Sequence, residues 1–335
     1  MTILVTGGAG YIGSHTCLEL LEQGYEVVVY DNFSNGHMEA LRRVERLTGK
    51  SITVVEGDIR NNERLRRAIA DNGCTAVMHF AGLKAVGDSV TDPGSFYLNN
   101  VYGTLSLFDA MKACEVRTLV FSSSATVYGH PKYLPITEEH PLSAINPYGR
   151  TKLMVENILR DLFAAKPASI AILRYFNPVG AHESGEIGED PKGVPTNLMP
   201  YISQVAAGIR PSLRVFGDDY PTFDGTGERD YLHVVDLAKG HISALKALQE
   251  PVLFEVNLGT GKPYSVLEVV EAFRQASGRE IPVDTQGRRP GDAASCFADA
   301  SKAKKLLNWT ATRDIDTMCK DHWNWQSRNP QGYQD

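Results

Sequence analysis

Residues 146–152 read NPYGRTK and set a tyrosine and a lysine four positions apart, Tyr148 and Lys152. On a helix that spacing puts both side chains on one face, with Cβ atoms about 5–6 Å apart. Positions 148, 152, 155, 159 and 162 are Tyr, Lys, Val, Leu and Leu, the stripe of a helix that turns one face to a core. A lysine and a phenol on that inward face cost solvation unless they act together. A phenol ordinarily loses its proton near ~10. A cation beside it favours the phenolate. Bringing that ionisation to neutral pH takes about 4 kcal/mol, which two close positive charges in a shielded cleft can supply. The chemistry to expect is a general base. On a solvent-facing helix the same pair would only snorkel, so the surrounding elements decide between the two readings.

Those elements read as a dinucleotide-binding unit. Asn146 is a cap and Pro147 a first-turn residue for the Tyr148 helix, and the serine run Ser122–Ser124 closes an apolar segment upstream. Near the start, VTGGAGYIG (Val5–Gly13) follows a strand-like run and opens a helix, with glycines at 7, 10 and 13. Such a turn needs positive φ, close approach of the backbone to a pyrophosphate, and a helix N-terminus facing it. Asp31 ends the second strand-like run. A carboxylate there holds the ribose 2′-OH of NAD and repels the 2′-phosphate of NADP. Alone, the loop could be a tight turn and Asp31 a turn residue of DNFSNG. Their joint occurrence favours the cofactor, whose oxidised nicotinamide ring would be the second positive charge near Tyr148. Asp58-Ile59, Phe80-Ala81-Gly82 and Ser122–Ser124 stand at further strand ends, where open α/β sheets bind ligands.

The 335 residues suggest about two domains. In the first 177, the apolar runs 3–6, 26–31, 52–58, 76–82, 118–124 and 170–177 alternate with helical stretches, including one from Pro93 to about Ala113. Unbroken, mostly β-branched runs are strands buried on both faces. The expected fold is α/β: a Rossmann-type doubly wound parallel sheet with helices on both faces, spanning 1–177. Residues 178–335, rich in Pro, Gly, Asn and Asp at first, read as a smaller mixed α/β C-terminal substrate domain, with a helix near 198–207. Residues 231–258 are compatible with a return to the first sheet.

Composition excludes several classes. The net charge is −6, so no basic surface suits a nucleic acid. Five cysteines, widely spaced and without CxxC, imply a reducing compartment, no disulfide framework and no metal site. No apolar run approaches the ~20 residues of a membrane span, and strand-like sequence begins at Thr2 rather than after a leader. The cytoplasm is the expected location.

The glycine loop, FSSSATVYG, YxxxK and RYFNPVGAH together resemble the extended short-chain dehydrogenase/reductase family. HFAGLKAVGDSV, NLMPYI, GTGERDYLHV and the terminal HWNWQSRNPQGY extend the likeness from end to end, toward those members that invert a UDP-hexose at C4. The resemblance implies that Tyr148 takes the sugar 4′-hydroxyl proton while hydride passes from C4′ to NAD. Lys152 would hold the nicotinamide ribose and depress the phenol's ionisation, and Ser124 would bind the 4′-oxygen. The 4-keto sugar then turns over and hydride returns to its other face, interconverting UDP-galactose and UDP-glucose with the cofactor retained. For NAD the resemblance points to Gly7, Gly10, Tyr11, Ile12, Gly13, Asp31, Asn32, Asp58, Ile59, Phe80, Ala81, Gly82, Lys84, Asn99 and Phe176, besides Tyr148 and Lys152. For the UDP-sugar it points to Asn177, Asn197, Leu198, Phe216, Arg229, Arg289 and Asp292, besides Ser124 and Tyr148. Cys296 stands where some relatives have tyrosine beside the C2 substituent, which implies room for N-acetylated sugars. A homodimer through helices near 93–113 and 148–164 is implied too. The competing activities are 4,6-dehydration and decarboxylation on the same scaffold, an ordinary dehydrogenase, and a non-catalytic NAD sensor. The dehydratases carry acids just after the active-site serine or threonine, where this chain has Ala125 and Thr126.

Overall fold

A computed structural model describes residues 1–289 and 291–334. The chain begins β1 (Thr2–Thr6), α1 (Tyr11–Glu22), β2 (Glu26–Asp31), α2 (Met38–Thr48), β3 (Thr53–Glu56), α3 (Asn62–Asp71) and β4 (Ala76–His79). It continues with α4 (Val86–Thr91), α5 (Pro93–Phe96), a π-helical segment Tyr97–Tyr102, α6 (Gly103–Ala113), β5 (Thr118–Ser122), α7 (Pro147–Ala165) and β6 (Ser169–Tyr175). The second half contains β7 (Asn177–Val179), α8 (Leu198–Ala206), β8 (Leu213–Phe216), β9 (Glu228–His233), α9 (Val234–Ala247), β10 (Val252–Leu258) and β11 (Pro263–Ser265). It ends with α10 (Val266–Ser277), β12 (Val283–Gln286), β13 (Ser295–Cys296), α11 (Ser301–Leu307) and α12 (Ile315–Arg328).

Seven parallel strands form the main sheet in the order β3-β2-β1-β4-β5-β6-β10. The order reverses between β1 and β4, and a crevice at such a switch point is where doubly wound sheets bind ligands. One face carries Ile3, Val5, Val29 and Met78 against α1 and α9; the other carries Leu4, Val28, Val77 and Phe121 against α3, α6 and α7. Val, Ile and Leu on both faces explain why the runs lack polar alternation. A third core, built on Met199, Ile202, Val269, Phe273 and Met318, lies among α8, α10 and α12. Above it, β11, β9 and β13 form a sheet to which β7 adds by pairing with β9, and β8 pairs with β12.

Several sequence expectations need adjustment. The return to the main sheet consists of α9 and β10, whereas β9 stays in the second sheet. Ala303, Leu307 and Trp309 also pack into the first core, so the chain passes between cores more often than a single boundary at 177 expects. Strand ends at 57–58, 80–82, 123–124 and 176 leave the ladder because those residues form the loops at the site. The long helix from Pro93 is present in span but widens to a π segment at Tyr97–Tyr102. Leu162 does not share the inward stripe of α7; it is exposed, and Phe163 packs against the core in its place. Among the described residues, no helix is long and apolar enough to cross a membrane.

Candidate active site

The loop after β1 is shaped by close backbone packing. Gly7 has φ +72° and a Cβ there would lie 2.6 Å from Ala81 N; at Gly13 it would lie 2.2 Å from Gly7 O. Only glycine lets α1 begin so near the end of β4. Gly10 caps α1 without a side chain, so Tyr11, Ile12 and Gly13 offer first-turn N–H groups suited to a pyrophosphate. Asp31 is buried beside them. Its Oδ2 accepts from Ala9 N at 3.0 Å and its Oδ1 from Phe33 N at 2.8 Å. Each oxygen keeps a lone pair for a ribose hydroxyl. Burial pushes the Asp31 carboxyl up, with the two backbone donors opposing. These residues fit a dinucleotide, and the buried acid fits a free 2′-hydroxyl rather than a phosphate.

Other cofactor candidates gather at the same edge. Asn32 Nδ2 donates to Asp58 Oδ2 at 3.2 Å, and Arg60 holds the Asp58 carboxyl at about 2. Ile59 packs beneath Gly103, where a Cβ would meet its Cδ1 at 2.7 Å. Phe80 and Ala81 donate their N–H groups to Thr6 O, and Gly82 lies close to Asn100 and Lys152 Nζ. Lys84 Nζ donates to Glu189 Oε1 at 3.2 Å, and Asn197 Nδ2 donates to the same oxygen at 3.2 Å. Phe176 is buried beside Val127 and Ala298. Asn99 is half-buried and donates to Asn100 Oδ1 at 3.0 Å.

Asn100 was not anticipated from the sequence. Its Oδ1 accepts from Leu83 N at 2.8 Å, while Nδ2 donates to Leu83 O at 2.9 Å and Thr151 Oγ1 at 3.1 Å. It thus joins the loop after β4 to the helix of Lys152. The widened turn that sets it inward leaves no mark in residue periodicity, though π segments recur at functional sites.

Asn146 Oδ1 accepts from Gly149 N at 2.8 Å, the expected cap of α7. Lys152 is buried; its Nζ donates to Ser122 O at 2.7 Å and lies 5.9 Å from the Tyr148 ring centroid. Ser124 Oγ accepts from Thr126 N at 3.2 Å and Thr126 Oγ1 at 3.0 Å. With both lone pairs engaged, its own proton is free to point at the phenol of Tyr148. Burial pushes the Tyr148 phenol up and the Ser124 hydrogen bond pulls it back only in part. Lys152 is drawn down to about 8 by burial, with Glu156 opposing. The expectation that Lys152 depresses the phenol therefore needs correction for the protein alone: the ammonium is aimed at a carbonyl, and desolvation dominates. Tyr175 OH hydrogen-bonds Ser122 Oγ beside them.

In the second half, Asn177 opens β7 next to Phe176, and Leu198 starts α8 after Asn197. The Arg289 guanidinium stacks 3.7 Å from the Phe216 ring centroid. Arg229 Nη1 donates to Ala293 O at 2.9 Å, and its Nη2 stands 3.9 Å from Asp292 Oδ1. Cys296 lies opposite Arg229 on the neighbouring strand. Burial pushes its thiol up to about 11, so it is a small neutral wall. Two arginines, an aromatic face and an acid make a set suited to a nucleoside diphosphate. Among the described residues, no cluster of three His, Cys, Asp or Glu side chains could hold a metal.

A seven-stranded doubly wound sheet with a glycine turn, a strand-end serine and a YxxxK helix defines a short-chain dehydrogenase/reductase of the extended type. The GDP-mannose 4,6-dehydratase family model matches residues 4–322. The chain is 59% identical to UDP-glucose 4-epimerase of Bacillus subtilis (strain 168), over 99% of each chain. It is 58% identical to UDP-glucose 4-epimerase of Dictyostelium discoideum, over 99% of this chain and 98% of the relative. The crystal structure of UDP-glucose 4-epimerase from Bifidobacterium longum in complex with NAD+ and UDP superposes with a TM-score of 0.97 at 54% identity, covering 99% of this chain and 100% of that one. The chain belongs to the UDP-glucose 4-epimerase family.

Proposed function

We propose that the protein interconverts UDP-galactose and UDP-glucose through a transient 4-keto sugar, using a retained NAD. Bound at the glycine turn, NAD accepts hydride from C4′ and returns it. Tyr148 takes the 4′-hydroxyl proton and gives it back, Ser124 binds the 4′-oxygen, and Lys152 holds the nicotinamide ribose. Gly7, Gly10, Gly13 and Asp31 bind the dinucleotide. Asn177, Asn197, Arg229 and Arg289 bind the UDP group, with Phe216 stacked beneath the arginine. The carrying observation is Ser124 beside Tyr148, close enough to draw its phenol down against burial, with Thr126 donating to the same serine and no acid at 125 or 126. Elimination would need a carboxylate there; proton exchange at one oxygen does not. UDP-galactose given to the purified protein without added NAD should yield UDP-glucose. No turnover would indicate a sensor, a requirement for added NAD an ordinary dehydrogenase, and loss of water from the sugar a dehydratase. Tyr148→Phe should lower the rate by about 10³-fold, and a variant as fast as the parent would defeat the scheme.

Cys296 faces Arg229 across β9–β13, so its small side chain leaves the sugar side of the cleft open to an N-acetyl group. UDP-N-acetylglucosamine and its galacto epimer are then substrates, and Cys296→Tyr suppresses their turnover while sparing the plain sugars. An unchanged preference in that variant would reject the reading. The assembly is a homodimer, in keeping with exposed Leu98, Tyr102 and Leu105 on one helix run and Met154 and Leu162 on α7. Leu105→Glu with Met154→Glu should halve the mass seen in sedimentation. The location is the cytoplasm, in keeping with five free cysteines.

A further inference from the structure

Each of the three serines ending β5 is engaged differently. Ser122 offers its carbonyl to Lys152 and its hydroxyl to Tyr175, and Ser124 sits with Thr126. Ser123 donates from Oγ to Glu156 Oε1 at 2.6 Å. Glu156 lies one turn beyond Lys152 and two beyond Tyr148 on α7, with 0% of its surface exposed. Arg174, 1% exposed, grips it with two donors: Nε to Oε1 at 2.9 Å and Nη2 to Oε2 at 2.6 Å. Arg160 Nη2 adds a third contact to Oε2 at 3.1 Å. Arg174 Nη1 also donates to the Tyr128 hydroxyl at 3.1 Å, and that hydroxyl donates to Asn257 Oδ1 at 2.6 Å. One carboxylate therefore joins β5, β6 and α7 where the reacting groups leave the sheet.

We propose that Glu156 is a positioning residue of the reaction, tying the strand end that carries Ser124 to the helix that carries Tyr148 and Lys152, and fixing a negative charge one turn behind the lysine. The proposal rests on the reading above of those three residues. An apolar pair of equal volume commonly holds two elements together as well as a buried ion pair does, or better. It would supply neither an acceptor for Ser123 nor an anion near Lys152. Among the described residues, few titratable groups face Lys152. From its own helix they are Tyr148 and Glu156; from β4 it is His79, which burial draws down to about 3 and so leaves neutral. Tyr175 of β6 is kept protonated by burial. Glu156 is the anion that opposes the desolvation of Lys152. On its own side Glu156 faces Arg174, Arg160 and Ser123. Burial raises its carboxyl, but these partners outweigh burial and hold it below the usual carboxylate range.

Three variants separate charge from reach: Glu156→Gln, Glu156→Asp, and Glu156→Gln with Arg174→Gln. The readouts are kcat and KM for UDP-galactose from pH 6 to 10, thermal melting, and an NMR titration of the Lys152 ammonium in the NAD-retaining protein. Glu156→Gln should move the alkaline fall in kcat and the lysine titration down by about one pH unit, with KM little changed. Glu156→Asp keeps the charge but is one methylene short; it should leave the alkaline fall in place and lower kcat by about 10-fold. The double variant leaves no buried cation unpaired, since Arg160 is part-exposed, so it should melt nearer the parent than Glu156→Gln does while keeping the shifted profile. A folded double variant with the parent's kcat and lysine titration would overturn the proposal. So would an Asp variant with undiminished kcat. If Glu156→Gln alone fails to fold, the other two decide. A parent that does not turn over UDP-galactose would refute the function instead, while the lysine titration still reads the charge coupling.

Discussion

Burial shifts both Tyr148 and Lys152 toward their neutral forms. Burial keeps the phenol protonated and draws the ammonium down to about 8. The proposed base would therefore be made by what binds, because the protein alone leaves the phenol neutral at pH 7. The lysine has a consequence for stability. Its folded value lies below the ordinary 10.5, so the unfolded chain binds the extra proton between the two values and the folded state gains stability as pH rises through that window. Below pH 8 the fold carries the whole cost, about 3 kcal/mol. Stability of the parent should thus rise from pH 8 to 10.5 relative to Lys152→Met, followed by urea unfolding; parallel curves for the two proteins would contradict it. Thr126 leads to a second expectation. Its hydroxyl and N–H occupy the lone pairs of Ser124 Oγ, which turns the serine proton toward Tyr148. Thr126→Val removes the hydroxyl and nothing else of size, so kcat should fall by about 10-fold, the worth of one neutral hydrogen bond, with KM steady. A fall in affinity alone would assign Thr126 to binding.

Among the elements, the interrupted helix from Pro93 to Ala113 shows what patterning reveals and what it hides. Asp92, Pro93 and the span were readable from residue types, and Asp92 Oδ1 does accept from Ser95 N at 3.3 Å. The π segment was not, because one extra residue in a turn leaves local composition unchanged. Yet that turn places Asn100 where it binds the Leu83 backbone, with Asn99 donating to Asn100. Asn100→Leu strands the N–H and C=O of Leu83, which should cost about 2 kcal/mol of stability and speed the loss of NAD on dialysis. NAD retention equal to the parent's would mean that the loop after β4 does not need this anchor. Helix α7 was read more completely, since its cap, its first-turn proline and its Tyr148–Lys152 pair are all local features. Only its exposed end, Leu162, departs from the stripe.

Across the whole molecule, the end of the chain closes over the start. Tyr333 N donates to Asp190 Oδ2 at 2.7 Å, and the Tyr333 hydroxyl accepts from Gly188 N at 3.0 Å. Arg43 of α2 lies 5.2 Å from the Tyr333 ring centroid and donates to Glu186 O at 2.9 Å. This clasp holds the segment 186–190 against Gly10 and Tyr11, where they share a small cavity. Tyr333→Ala should release that segment and shorten NAD retention, measured as cofactor left after gel filtration, and should also lower the melting temperature, as loss of a buried aromatic does. Equal retention would show that the clasp does not hold the cofactor.

The sequence by itself determined the doubly wound sheet, the glycine turn with Asp31, the capped helix of Tyr148 and Lys152, and the serine run, because each depends on residues near one another along the chain. Only the tertiary structure decided that Glu156 meets Ser123 and Arg174, that Asn100 binds the Leu83 backbone, that α9 and β10 rejoin the first sheet, and that Tyr333 seals the glycine turn. Those outcomes depend on which strands pair and which helices pack. Buried polar groups must find partners wherever the fold brings them, and that accounting cannot be closed one segment at a time.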